Sequence, residues 1–132
     1  MNKILPPKKI YVGPSDIAKL ERGVFAANSI KKGELIEMCP IIELSEYDTM
    51  GITDNILITY SYYFGKKKEK SLIALGFGSI YNHTRTPNAT YKIKAEESVI
   101  EFIAIKDIKR DEEITVNYNY ANPNDKTPMW FE

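Results

Sequence analysis

The chain has 132 residues, 43% of them hydrophobic and 27% charged, which is typical of one domain with a single modest core. Eighteen basic residues against eighteen acidic ones give no net charge, so overall charge does not favour direct binding to nucleic acid, which depends on neutralising phosphates. The single cysteine, Cys39, excludes an internal disulfide and a multi-cysteine zinc site, and the lack of a signal-peptide pattern or an apolar run near about 18 residues predicts a soluble intracellular protein without a membrane span.

The first third of the chain predicts short strands joined by turns. Residues 10–12 predict a short strand, and the apolar residues 23–27 predict a buried one. Residues 34–38 and 41–44 predict two further strands, broken at Pro40. The middle of the chain does not continue this pattern of short strands.

That middle segment, from about residue 45 to residue 71, predicts helical and loop structure. Ser45 is placed to cap a short helix, and Ile56, Leu57 and Tyr60 share helical spacing. The lysine-rich residues 66–70 predict a solvated surface loop.

The C-terminal part returns to short strands. Residues 74–81 are apolar, and Gly76 and Gly78 in that run indicate close backbone approach. The remaining predicted strands are residues 91–95 and 99–105, which form a hairpin, and residues 114–118. Many short strands and no long helix predict a compact, mostly β domain.

The sequence contains one internal echo. Ala26, Ile30, Lys31, Glu34 and Ile36 recur at the same spacing as Ala104, Ile108, Lys109, Glu112 and Ile114. Two copies do not make a repeat protein, because stacking needs at least three units. The echo therefore predicts two turns of related geometry and nothing more.

Tyrosine is unusually abundant, with nine residues against five phenylalanines and one tryptophan. Tyr60, Tyr62 and Tyr63 cluster, as do Tyr118 and Tyr120. Such clusters are typical of strand packing with hydroxyls at the surface. They also suit a channel that accommodates a cation against ring faces.

The most informative polar stretch is residues 82–88, which follows directly on an apolar run. Its Asn82-His83 pair therefore lies against the core, where polar groups need hydrogen-bond partners. His83 is the only histidine, so no second histidine shares a metal with it. No serine or cysteine nucleophile arrangement accompanies it, which makes metal hydrolysis and acyl transfer poor candidates.

Three motifs in this chain resemble those of the SET-domain family. Asn82-His83 with Pro87-Asn88 is similar to the family's NHSxxPN motif, and residues 112–118 are similar to its GEELTxxY signature. Residues 22–26 are similar to the end of its glycine-rich GxGVFA motif. The order of the three is that of the family, and the match covers most of residues 19–121. The layout resembles that of small stand-alone viral SET enzymes.

The resemblance implies a fold of several small β-sheets with a short helical insert, in which the two C-terminal motif segments cross as a pseudoknot. It divides the chain into an N-terminal SET half (residues 9–47), a variable insert (48–71), a C-terminal SET half (72–121) and a flanking segment (122–132). It also implies an S-adenosyl-L-methionine-dependent methyltransferase that acts on a protein lysine, with a histone tail as one possible substrate.

The roles of individual residues follow from the same resemblance. The residues expected to contact the cofactor are Glu21, Arg22 and Gly23 in the glycine-rich turn, and Asn82, His83 and Tyr118. Tyr118 is the expected catalytic residue beside the methyl-transfer centre. Tyr62 and Tyr120 are expected to wall the lysine channel, and no metal is expected.

Two positions leave alternatives open. Trp130 resembles a C-terminal tryptophan that stacks on the cofactor adenine in some SET enzymes, but a terminal aromatic residue that fills the core fits equally well. Glu21 stands where the first glycine of the motif is expected, so its side chain either crowds the cofactor or pairs with the cofactor's ammonium group.

The chemistry needs no carboxylate base. A lysine of pKa about 10.4 is rarely neutral at pH 7, but an apolar aromatic channel beside a sulfonium lowers the pKa of that amine, whose proton then leaves through water. Glu112 and Glu113 are accordingly expected to form a turn and surface pair.

Two other functional classes remain open as alternatives to a methyltransferase. A SET-like binding module without activity results if Glu21 has closed the cofactor pocket. A nucleic-acid-binding β domain with stacking tyrosines is opposed by the neutral charge. A homodimer is compatible with so small a unit.

Overall fold

The computed structural model describes residues 3–17, 22–65 and 69–119, and strands dominate this part of the chain. In chain order the elements are β1 (Ile10–Pro14), β2 (Arg22–Ala26), β3 (Leu35–Leu44), α1 (Glu46–Gly51), a 3₁₀ helix (Ile56–Tyr60), β4 (Ser61–Phe64), β5 (Lys70–Ala74), β6 (Asn82–His83), β7 (Ala89–Lys94), a 3₁₀ turn (Ala95–Glu97), β8 (Val99–Ala104) and β9 (Glu113–Val116). The predicted mostly β fold with a short helical insert is confirmed.

The strands form two sheets, and the smaller one brings the sequence motifs together. Its order is β1-β2-β9-β6, while the larger sheet has the order β4-β5-β3-β8-β7. β6 and β9 pair in parallel, with Asn82 opposite Thr115 and His83 opposite Val116. On its other side β9 pairs antiparallel with β2. β9 thus lies between the glycine-rich motif and the Asn-His motif.

The predicted break at Pro40 is wrong, because β3 continues through it. Residues 35–40 pair with β8, and residues 41–44 pair with β5. Pro40 stands where β3 changes partners, so its missing N–H removes no bond from a continuous ladder. Its carbonyl accepts a hydrogen bond from the backbone N–H of Leu75 at 2.9 Å. The two predicted strands are therefore two pairing regions of one strand.

The helical insert begins as the sequence predicts. Ser45 caps α1 by accepting a hydrogen bond from the backbone N–H of Asp48 at 3.1 Å. The second predicted helical stretch is a single 3₁₀ helix, capped by Asn55, whose Oδ1 accepts from the backbone N–H of Leu57 at 2.9 Å. In the parts of the chain that the structure describes, no helix is long and apolar enough to cross a membrane.

The internal echo corresponds to a pair of turns that face each other. Ile30 and Ile108 exchange backbone hydrogen bonds of 2.8 and 2.7 Å. Each turn is also closed by its own glutamate, whose carboxylate accepts from a backbone N–H three residues earlier, at Lys31 for Glu34 and at Lys109 for Glu112. The predicted similarity of turn geometry is confirmed, and the two copies join in the tertiary structure.

One hydrophobic core cluster contains side chains of both sheets, among them Val24 and Ile114 from the smaller sheet and Leu72 and Ile100 from the larger. Tyr81 stacks on Phe102 with ring centroids 4.2 Å apart. Since Tyr81 immediately precedes β6, this stacking anchors the Asn-His segment on the core. The predicted close approach of the glycines is confirmed at Gly78, where an added Cβ would lie 2.5 Å from the Cβ of Ala74.

Candidate active site

The Asn82 side chain connects all three motifs. Its Nδ2 donates to the backbone carbonyl of Arg22 at 2.8 Å and to Oε2 of Glu113 at 2.8 Å. A longer contact of 3.4 Å reaches Oγ of Ser15. Only one strand, β9, lies between β2 and β6 in the sheet, and neighbouring strands are about 5 Å apart. The Asn82 side chain on β6 is therefore close enough to reach the backbone of β2. One amide therefore joins the first motif to the last.

Gly23 provides the space in which these polar groups meet. It is buried, and an added Cβ would lie 2.3 Å from Oε2 of Glu113 and 2.9 Å from Nδ2 of Asn82. Real Cβ atoms do not approach other atoms so closely, so any larger side chain at this position displaces the carboxylate and the amide. The neighbouring Arg22 contributes its carbonyl to the site, while its side chain is directed to the Tyr60 hydroxyl at 3.4 Å.

Glu113 is not the surface residue that the sequence predicts. Its Oε1 accepts a hydrogen bond from the hydroxyl of Ser15 at 2.7 Å, and its Oε2 accepts from Asn82. Glu112 is exposed and closes its turn, as predicted. The two neighbours differ because side chains alternate along a strand, and Glu113 is the first residue of β9.

Tyr118 lies beside the Asn-His pair. Its hydroxyl donates to the backbone carbonyl of Tyr81, and its backbone N–H donates to Nδ1 of His83 at 3.0 Å. The second bond requires that Nδ1 of His83 carry no proton. Burial raises the pKa of the Tyr118 hydroxyl, and nearby Tyr91, Tyr60 and Glu113 raise it further. At neutral pH Tyr118 is thus an uncharged hydrogen-bond donor fixed to the backbone.

Tyr62 lies against the ring of Tyr118, with centroids 5.7 Å apart in an edge-on arrangement. It is 4% exposed, and its hydroxyl donates to the carbonyl of Gly78 at 2.7 Å. Its ring edge also contacts Tyr91 at a centroid distance of 4.7 Å. The structure therefore places Tyr62 next to Tyr118, and the Tyr62 hydroxyl is used in a hydrogen bond to the protein backbone.

Sequence reasoning did not single out three residues of this site, namely Ser15, Tyr81 and Tyr91. Tyr91 donates to the carbonyl of Tyr118 at 3.4 Å, and its inward position is visible in the alternation of apolar residues with lysines along β7. Nothing local marks Ser15, which is 98 positions from Glu113 in the chain.

Three of the predicted site residues, Glu21, Tyr120 and Trp130, lie outside the described residues. Residues 122–132, the predicted flanking segment, lie outside them as well. Among residues 3–17, 22–65 and 69–119, no group of three or more His, Cys, Asp or Glu side chains is placed to hold a metal ion.

A family model for the SET domain matches residues 21–119. The histone-lysine N-methyltransferase of Schizosaccharomyces pombe that is specific for H3 lysine-37 is 32% identical over 119 residues, which are 89% of this chain and 74% of that protein. The chain belongs to the SET-domain family. The glycine-rich, Asn-His and C-terminal motifs on which the resemblance depends are therefore family motifs, and β2, β6 and β9 carry them.

Solved structures agree with this assignment. A candidate histone methyltransferase of Plasmodium falciparum is 30% identical, with a TM-score of 0.64 over 95% of this SET domain and 98% of that chain. The Chaetomium thermophilum polycomb repressive complex 2 bound to S-adenosylmethionine is 27% identical, with a TM-score of 0.69 over 89% of this SET domain and 16% of that chain. These relatives are cellular proteins, so the likeness to viral SET enzymes stays a prediction.

Glu37 is a buried carboxylate behind the active site of this SET domain. Its Oε1 accepts from the hydroxyl of Tyr81 at 2.8 Å, and its Oε2 accepts from the backbone N–H of Phe77 at 2.9 Å. Burial raises the pKa of the Glu37 carboxyl, against the lowering effect of those two hydrogen bonds. Because the Tyr81 carbonyl receives the Tyr118 hydroxyl, Glu37 supports the segment to which Tyr118 is bound.

The raised pKa of Glu37 predicts a pH-dependent stability. The contribution of Glu37 to the free energy of unfolding is fully present below the ordinary carboxyl pKa of 4.5 and is lost as pH rises through the higher native value, by about 1.4 kcal/mol for each tenfold difference between the two ionisation constants. In Glu37→Gln the amide oxygen can accept from the Phe77 N–H, and the amide nitrogen can donate to the Tyr81 hydroxyl oxygen, so both contacts are filled without the charge. The part of the pH slope that is due to Glu37 is therefore expected to disappear. Urea unfolding of both proteins between pH 4.5 and pH 8 measures it.

The exposed Glu43, whose ion pair with Lys70 is a 3.7 Å surface contact, supplies the control. Glu43→Gln is expected to retain the wild-type slope. A Glu37→Gln variant with that same slope would contradict the role of the buried carboxylate in this pH dependence.

Proposed function

We propose that this SET domain transfers a methyl group from S-adenosyl-L-methionine to the ε-amine of a lysine in a protein substrate, with a histone as the first substrate to test. The observation that carries the proposal is the convergence of Asn82, Gly23 and Tyr118 through the strand order β2-β9-β6. One relative named as a histone-lysine methyltransferase and another named as a candidate histone methyltransferase support the substrate class.

The site has the chemistry to hold the cofactor's aminocarboxylate end. The Arg22 carbonyl and the Asn82 side chain form a polar surface around Gly23, where a Cβ would fill the space. When bound, S-adenosylmethionine supplies an electrophilic methyl group on a positively charged sulfonium. We propose that Arg22, Gly23, Asn82 and His83 bind it.

The chain's own contribution to the reaction is orientation. A fixed alignment of reacting atoms about 3–3.5 Å apart supplies several kcal/mol of an activation barrier. Tyr118 is suited to this role, because its hydroxyl is uncharged and bound to the Tyr81 carbonyl. The lysine must arrive as a neutral amine, and no described carboxylate is required to remove its proton, since desolvation beside a cation favours the neutral form.

The tyrosines next to Tyr118 are proposed to form the wall of the lysine channel. The rings of Tyr62 and Tyr91 contact each other and lie near Tyr118, and ring faces tolerate a methylated cation. Tyr120 is proposed for the same channel, Trp130 for the cofactor adenine and Glu21 for the cofactor's ammonium end. These three assignments depend on the family resemblance.

The test is incubation with isotopically labelled S-adenosylmethionine and a panel of core histones, read by mass spectrometry of proteolysed peptides. The expected result is a labelled methyl group on defined lysines, absent with an Asn82→Ala variant. Calorimetric titration with S-adenosylmethionine accompanies the assay. Binding without transfer to any histone would exclude histones as substrates, and no binding at high concentration would favour a silent binding module.

The partner class and the quaternary state can be proposed only in general terms. A protein with an exposed lysine is the proposed partner, and direct nucleic-acid binding is not expected, because the net charge is zero. A homodimer is compatible with the size of the domain.

A further inference from the structure

We infer that Glu113 is a positioning residue that selects for the cofactor's cationic ammonium group, because it fixes the orientation of the Asn82 amide. The inference rests on the proposed function, since it concerns the same cofactor site. The residues that carry it are Glu113, Asn82, Ser15 and the backbone of Arg22 and Gly23.

The orientation of the Asn82 amide follows from the chemistry of its partners. The Arg22 carbonyl and an ionised Glu113 carboxylate are hydrogen-bond acceptors only, and both lie 2.8 Å from the same atom of the amide. That atom must be the nitrogen, and its two N–H groups are both used. Oδ1, which has no hydrogen-bond partner within the described residues, is left as an acceptor for a cationic donor.

Glu113 is itself fixed. The Ser15 hydroxyl donates to its Oε1 at 2.7 Å, and Ser15 Oγ also accepts from the backbone N–H of Ile17 at 3.2 Å. The other carboxylate oxygen lies against Gly23, where no side chain intervenes. A carboxylate bound at both oxygens holds its position, and it therefore holds the amide that donates to it.

Glu113 has no cationic side chain as a partner in the described ranges, where its hydrogen-bond partners are a hydroxyl and an amide. The negative charge of this half-buried carboxylate is thus not neutralised by a lysine or an arginine of those ranges. Without Glu113, one N–H of the amide loses its acceptor and only the Arg22 carbonyl still favours the original orientation, so the half-turn that presents nitrogen instead of oxygen to the ligand becomes less unfavourable. Nitrogen repels an ammonium group, which has no acceptor.

The experiment measures affinity for two ligands that differ only in the ammonium group. These are S-adenosylhomocysteine and its analogue in which hydrogen replaces the α-amino group, each titrated calorimetrically into wild type, Glu113→Ala and Glu113→Gln. For Glu113→Ala the Kd of S-adenosylhomocysteine is expected to rise about tenfold, and that of the analogue less than about threefold. Thermal unfolding of each variant without ligand is measured in parallel.

Glu113→Gln separates orientation from charge. Its side-chain oxygen still accepts from Asn82, and its nitrogen can donate to Ser15, so it is expected to recover most of the preference for the ammonium-bearing ligand. Glu43→Ala, at an exposed glutamate of β3, is the matched control and is expected to leave both Kd values unchanged.

Three outcomes overturn the inference. One is equal weakening of both ligands by Glu113→Ala together with a lower melting temperature, which indicates a merely structural role. Another is a Glu113→Gln variant as defective as Glu113→Ala, which indicates that charge acts without the amide. The third is an unchanged ligand preference. If wild type binds neither ligand, the proposed function fails first, and that result is distinguishable from the other three.

Discussion

Tyr118→Phe is expected to lower the turnover number about 100-fold while it changes cofactor affinity by less than about threefold. The hydroxyl is an uncharged donor bound to the Tyr81 carbonyl, so its loss removes a fixed polar group beside the proposed site of methyl transfer and leaves the ring in place. Asn82 and Gly23, which are proposed to bind the cofactor, are not altered. Single-turnover kinetics with rapid quenching measure the chemical step, and calorimetric titration measures affinity.

Tyr47→Phe is the matched control, because Tyr47 is 84% exposed on α1. It is expected to retain wild-type turnover. The Tyr118 variant also leaves the Tyr81 carbonyl without its donor, which costs about 1–3 kcal/mol if water does not replace it. The assay is therefore run well below the melting temperature of each protein. Unchanged single-turnover rates in Tyr118→Phe would remove Tyr118 from the reaction.

Gly23→Ala is expected to weaken cofactor binding about 100-fold. The added Cβ would lie 2.3 Å from Oε2 of Glu113 and 2.9 Å from Nδ2 of Asn82, so both side chains must move. A displaced Asn82 loses its proposed hydrogen bond to the charged cofactor, which is worth about 1.5–3 kcal/mol, and about 2.7 kcal/mol corresponds to a factor of 100 in Kd. Calorimetric titration with S-adenosylmethionine measures the change.

The loss is expected in binding more than in stability, because the atoms that must move are the ends of two side chains and not backbone. Gly51→Ala provides the comparison, since a Cβ there meets nothing within 4 Å. It is expected to bind the cofactor like wild type and to be as stable or slightly more so, because alanine restricts the unfolded chain. Wild-type affinity in Gly23→Ala would show that the cofactor does not use this part of the site.

The Asn-His segment shows how much of the site is readable from sequence. An apolar run followed by a polar pair predicts that Asn82 lies against the core and needs partners, and the structure supplies them in Arg22 and Glu113. Their identity was not predictable, because they lie 60 and 31 positions away in the chain. Local pattern indicates the need for a hydrogen bond, and only tertiary packing determines its partner.

Glu113 shows that the exposure of a side chain is also not readable from the local sequence. Adjacent glutamates in a turn are typically exposed, and Glu112 follows that rule. Glu113 departs from it because its side chain meets Ser15 and Asn82, which distant parts of the chain bring to the same face of the sheet. Exposure depends on what packs beside a strand, and residue type alone does not encode it.

The sequence by itself determined the mostly β class, the capped helix at Ser45, the β7–β8 hairpin and the similar geometry of the two turns of the internal echo. Each of these depends on residues close together in the chain, whose periodicity and capping chemistry act locally. Only the tertiary structure decided that Pro40 stands where β3 changes partners and that β9 lies between β2 and β6. Which strands pair depends on side chains from distant parts of the chain being buried together. This long-range pairing places the three motifs around Asn82.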